Sequence, residues 1–157
     1  MSPRLQRLRA EIASDLESFR SRIAELAELP PLATANRPHL AVAAVALHHA
    51  YGAIEAALSR IARVVDDGLP EAPEWHQALL QVMALDVEAV RPAVLSRASV
   101  DELQRLLAFR HFFRHAYAIQ LDGARLEELR ERSIALLPLV SADLARFDRF
   151  LAEAAES

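Results

Sequence analysis

The 157-residue chain has no cysteine and no lysine, only three glycines, and aromatics at 6% of residues. Without cysteine there is no disulfide scaffold, no Cys-ligated zinc and no thiol nucleophile, which suits the cytoplasm. Scarce glycine and aromatics beside abundant Ala, Leu, Arg and Glu argue against a sheet-rich fold and for a helical one. All 18 basic residues are Arg. GC-rich coding produces that bias, although Arg is also the better bidentate phosphate ligand. No uninterrupted apolar run approaches the roughly 18 residues of a spanning helix, and the opening MSPRLQRLRAEIASDLE lacks a signal-peptide core, so a cytoplasmic protein without a membrane partner is expected. A formal charge of −4 excludes a protein that coats nucleic acid by bulk electrostatics, leaving room only for local contact.

What is present is helical periodicity over one domain, 1–157. Leu5, Leu8, Ile12, Leu16, Phe19 and Ile23 recur at spacings of three and four, so the chain opens on a long amphipathic helix that Pro30-Pro31 ends. Its five Arg balance its five acids, as on a solvated face over a packing stripe. After the linker Thr34 to Pro38, a helix from about His39 to Asp66 is apolar on several sides and therefore central. Asp67-Gly68-Leu69-Pro70 stops it, with Gly68 as the cap. His48, His49 and Glu55 lie within it. A helical His pair near a carboxylate can hold a metal, but no second ligand set accompanies it, and a core or surface role is the commoner one. A short helix over about Glu74 to Leu85, anchored by Trp75, is followed by a connector broken at Arg91-Pro92. Ser99-Val100-Asp101-Glu102 fits the capping box S-x-x-E, which starts a helix near Val100. Asp122 caps a last helix from about Ala124, which Pro138 should kink or split near Leu137. The expected architecture is all-α, an up-and-down bundle of four main helices plus a short one.

The helix Leu103 to Asp122, LQRLLAFRHFFRHAYAIQLD, gathers two Arg, two His and a Tyr within eight residues. At about 100° per residue, Arg110, Arg114 and Tyr117 share a narrow stripe, with His111 and His115 beside it and Phe109, Phe112, Phe113 and Ala116 opposite. One face is expected to pack and the other to present cations and imidazoles. No acid lies between Arg110 and Tyr117 to neutralise them, so an anion is the natural missing partner.

The pattern Arg110-His111-x3-His115-x-Tyr117 resembles the signature of HEPN domains, in particular the HepT-like ribonuclease toxins. Tyr51-Gly-Ala-Ile-Glu55, Leu69-Pro70, Trp75-His76, Arg91-Pro92-Ala93-Val94 and Leu121-Asp122 look like landmarks of one HepT-like subgroup. The resemblance covers roughly Ala44 to Ala155; residues 1–36 form an extra N-terminal helix and linker ahead of a core over 39–155. It implies a two-fold homodimer whose motif helices line a cleft, with Arg110 and His115 as the catalytic pair and His111 assisting. It implies RNA as substrate, no metal and no cofactor. It also implies a toxin of a type II or type VII-like toxin–antitoxin pair, silenced when a nucleotidyltransferase antitoxin places AMP on Tyr117. Tyr51 and Glu55 then lie on the helix facing the motif, and Arg114 is assigned to phosphate binding.

The residues themselves suit this chemistry. A His with its ordinary pKa of about 6.5 takes and gives a proton near neutrality. An Arg offers charge-assisted bonds to phosphate oxygens worth about 1.5 to 3 kcal/mol each. Metal-free RNA cleavage needs a proton taken from the 2′-hydroxyl and stabilisation of the charge that develops at phosphorus. Arg110 and His115, about 140° apart around the helix, cannot easily grip one another but can both reach a phosphate beside it. Other site classes fit less well. His111-x3-His115 mimics two zinc-protease ligands, but Phe112 occupies the position of the Glu base, and there is no Gly-rich phosphate loop. A non-catalytic HEPN module that binds nucleotide or protein remains the alternative, and a helical interaction protein using this face as a polar dimer seam is a third.

Overall fold

The computed structural model describes residues 2–115 and 120–157, with the backbone alone for His115. Among them are five α-helices and no strand. Helix α1 (Pro3–Glu28) starts on Ser2, whose side chain accepts the Leu5 N–H, with Pro3 in the first turn where its missing N–H costs nothing. A 3₁₀ turn, Leu32–Thr34, follows the Pro30-Pro31 break. Helix α2 (Arg37–Val65) begins two residues earlier than its periodicity predicts. Asn36 caps it by accepting the His39 N–H at 3.0 Å, and Pro38 is tolerated because it falls in the first turn.

Helix α2 is the centre of the bundle, packing against α1, α3 (Trp75–Met83), α4 (Arg97–His115) and α5 (Gly123–Glu156). It is long and apolar enough to cross a membrane by those two measures alone, yet Ala43, Leu47, Ala50, Ile54, Leu58 and Ile61 are buried among the other helices. At its end the left-handed backbone is shared. Asp67 (φ 60°) takes the first such position, and Gly68 (φ 151°) returns its N–H to the Ala62 carbonyl at 3.0 Å.

The connector after α3 is organised by Arg91, whose buried guanidinium uses all five N–H groups. Two donate to the Asp66 carboxylate at 2.7 and 2.8 Å, and the others reach the carbonyls of Leu85, Pro92 and Val82. Helix α4 starts one turn before the expected Val100. Ser96 is its cap, its Oγ accepting the Ser99 N–H at 3.3 Å, and the Asp143 carboxylate of α5 accepts from Ser96 N, Ser96 Oγ and Ser99 Oγ. Asp122 caps α5 as its position predicts. Pro138 does not split α5, which runs unbroken to Glu156. Gly123 is required at its start, because a Cβ there would collide with the Leu32 carbonyl.

Candidate functional site

Arg110 lies two turns after Leu103 and just over one turn after Leu106, both buried, so it continues the seam of α4 that faces α2. The expectation that packing and cationic faces lie opposite one another is therefore corrected. The core-facing arc runs through Leu103, Leu106, Phe109 and Phe113 and then becomes polar at Arg110. Phe112, expected on the packing side, sits at the edge of that arc and is 51% exposed. Phe109 and Phe113 stack with ring centroids 5.9 Å apart.

The guanidinium of Arg110 is half-buried and sits over the Tyr51 ring, 5.8 Å from its centroid. Tyr51 is fully buried on α2, and among the described residues its hydroxyl has no hydrogen-bond partner of ordinary geometry. Burial first, and then the nearby Glu55 carboxylate, push the phenol's pKa well above its usual range, while the Arg110 cation pulls the other way. Glu55, one turn further along α2, meets His76 Nδ1 of α3 at 2.7 Å. The His76 ring stacks on Trp75 at 3.8 Å. The Tyr51 ring thus backs Arg110 from α2, while Glu55, one turn on, is held by His76 of α3 with the Trp75 ring stacked on it.

His48 completes the α2 side. With Tyr51 and Glu55 it occupies positions i, i+3 and i+7, within an arc of about 60°. Its ring lies 5.7 Å from Phe113 and 5.5 Å from His49. Burial, the Arg110 cation, His49 and the Arg114 cation, in that order, lower its pKa. His48 and His76 are the two residues at this place that the motif alone does not single out. The i, i+3, i+7 spacing from Tyr51 and Glu55 is the signal that marks His48; for His76 the signal is the Trp75-His76 landmark of the resemblance, which gives it no role.

Arg114 and His111 are exposed on α4. His115 is the last helical residue of α4, and its side chain lies outside the described residues, as does Tyr117. The structure therefore brings together Arg110, Arg114, Tyr51, Glu55 and His48. The arrangement presents a pair of guanidinia beside a neutral imidazole and a buried aromatic, and the α4 stretch that carries them has no carboxylate, which is a setting for an anion.

The model of one family, described as HepT-like protein, matches residues 42–151. The chain belongs to the HepT-like family. Neither a curated protein nor a solved structure matches it. The match spans α2 to nearly the end of α5, so every residue of this site lies inside the HepT-like part. Helix α1 lies outside it.

Proposed function

We propose that this HepT-like chain is a metal-independent endoribonuclease, the toxin of a type II or type VII-like toxin–antitoxin pair. The observation that carries the reading is the break of the α4 seam at Arg110, where a guanidinium is backed by an aromatic ring instead of a carboxylate. Arg110 and Arg114 hold a phosphodiester and offset the charge that develops at phosphorus. The 2′-oxygen attacks that phosphorus and its proton passes to an imidazole, His115 with His111 assisting. As the bond from phosphorus to the 5′-oxygen breaks, the leaving oxygen takes up a proton, and a cyclic phosphate and a 5′-hydroxyl result. The cleft for this reaction forms between the α4 helices of two copies of the chain. A nucleotidyltransferase antitoxin silences it by transferring AMP to Tyr117, which adds bulk and negative phosphate beside Arg110 and Arg114.

The test is cleavage of RNA by the purified full-length protein in EDTA, alongside growth of cells that express it. Arg110→Ala or His115→Ala should lower cleavage by about 10²- to 10⁴-fold and relieve growth arrest. The reading is abandoned if the purified dimer leaves RNA intact with and without EDTA and no antitoxin encoded beside it binds. Nucleotide binding in a calorimeter without turnover would point instead to a non-catalytic binding module.

A further inference from the structure

Helix α2 brings an imidazole to the guanidinia of α4 that the family motif does not include. His48 is half-buried, one helical turn from the Tyr51 ring over which Arg110 lies. Phe113 of α4 and His49 of α2 hold its ring from two sides. Among the described residues its Nδ1 is buried without a hydrogen-bond partner, and Nε2 is the other ring nitrogen. Among the described residues, the charged groups acting on it are Arg110 and Arg114 from α4 and His49 from its own helix, with no carboxylate among them. The nearest acid along α2, Glu55, is two turns away and engaged by His76.

We propose that His48 is a phosphate-contacting residue of this site, donating from Nε2 to the phosphodiester that Arg110 and Arg114 hold and taking up a proton as it binds. The inference rests on the reading that a phosphodiester occupies this place. In the free protein partial burial, and after it the two guanidinia, favour the neutral imidazole over the charged one. An incoming phosphodiester reverses that balance. It offsets the field of Arg110 and Arg114, and its oxygens accept from a protonated ring. Binding and protonation therefore favour one another, as linkage requires.

The test uses the full-length protein and a 2′-O-methyl RNA oligonucleotide, which presents phosphodiesters but has no hydroxyl to attack them. The C2 proton of His48, assigned by its disappearance in His48→Gln, is titrated by NMR with and without the oligonucleotide. Its midpoint should rise by about one pH unit on binding, equivalent to roughly tenfold tighter binding at the acid end. In His48→Gln, affinity should depend less on pH than in the wild type between about pH 7.5 and pH 6. An unmoved midpoint with the oligonucleotide bound, or an unchanged pH dependence in the variant, overturns the proposal. Unmodified RNA is followed in parallel. If RNA is cut while the His48 midpoint stays put, this inference falls and the nuclease reading survives. A shifted midpoint with RNA left intact has the opposite meaning, and no binding of the oligonucleotide at all removes both.

Discussion

Arg110 occupies a seam position where a helix of this bundle would ordinarily carry another leucine, and its charge is answered by the face of Tyr51. Such a contact contributes about 0.5 to 2 kcal/mol and leaves the positive charge unneutralised, whereas a carboxylate would have cancelled it. That charge is felt by His48, where it adds to the larger effect of burial in setting a pH dependence of folding. The folded-state pKa of His48 is lowered by burial first and then by Arg110, His49 and Arg114. Above about pH 7.5 the imidazole is neutral in folded and unfolded chains alike, so it has no effect on stability. Below that, the unfolded chain takes the proton first, and stability falls until the folded imidazole titrates too. Urea denaturation should therefore show the wild type losing more stability than His48→Gln between about pH 7.5 and pH 5; equal losses would refute this. The residue types at the site are legible in the sequence, since Arg110, Arg114 and Tyr51 are read from spacing and resemblance. Which side of α4 the two Arg take is not. Phe109, Phe112 and Phe113 all lie to one side of Arg110 on a helical wheel, and which part of the helix surface meets α2 is set by tertiary packing that the sequence does not display.

Helix boundaries fail in the sequence for a related reason. Ser99 to Glu102 and Ser96 to Ser99 each place a polar side chain where a cap could act, and local sequence gives no ground to prefer the second. The deciding partner is Asp143, far along the chain on α5. It is only 3% exposed and accepts from both serines, at 2.6 Å from Ser99 Oγ, while Arg146 approaches its other oxygen at 3.2 Å. Removing this carboxylate leaves the start of α4 with buried donors that nothing satisfies, a loss of the kind that costs about 3 kcal/mol. Asp143→Ala should lower unfolding stability by about that amount in urea. Stability within about 0.5 kcal/mol of the wild type would show that water replaces the carboxylate there. Asp122 at the head of α5 was legible because its cap is wholly local. Of the two outcomes expected at Pro138, a kink or a split, the split does not occur: α5 continues in one piece, with Leu136 and Val140 buried on either side.

At the scale of the molecule, the region matched by the HepT-like model and the region that packs as one core do not coincide. Helix α1 lies outside residues 42–151, yet it sends Leu8, Ile12, Phe19, Ile23 and Leu26 into the same core as α2 and α5. Polar ties hold it as well. Arg9 grips Asp148 of α5 at 2.7 and 2.9 Å, Arg60 of α2 meets Asp15 at 2.8 Å, and Arg130 of α5 donates to the Leu29 carbonyl at 2.7 Å and the Leu26 carbonyl at 3.3 Å, near the end of α1. Each buried apolar side chain contributes about 1.5 to 3 kcal/mol, so the five together are worth on the order of 10 kcal/mol. A domain of this size is stable by only about 5 to 15 kcal/mol. Helix α1 is therefore part of the folding unit, and the seam that carries Arg110 depends on it through α2. A chain beginning at Leu32 should lose its cooperative urea transition and expose apolar surface to a hydrophobic dye, while Phe19→Ala in the full chain should cost about 3 to 5 kcal/mol. A truncated chain that still unfolds in one sharp transition, with the wild-type denaturant dependence, would show that α2 to α5 fold without α1 and would reduce that helix to an appendage.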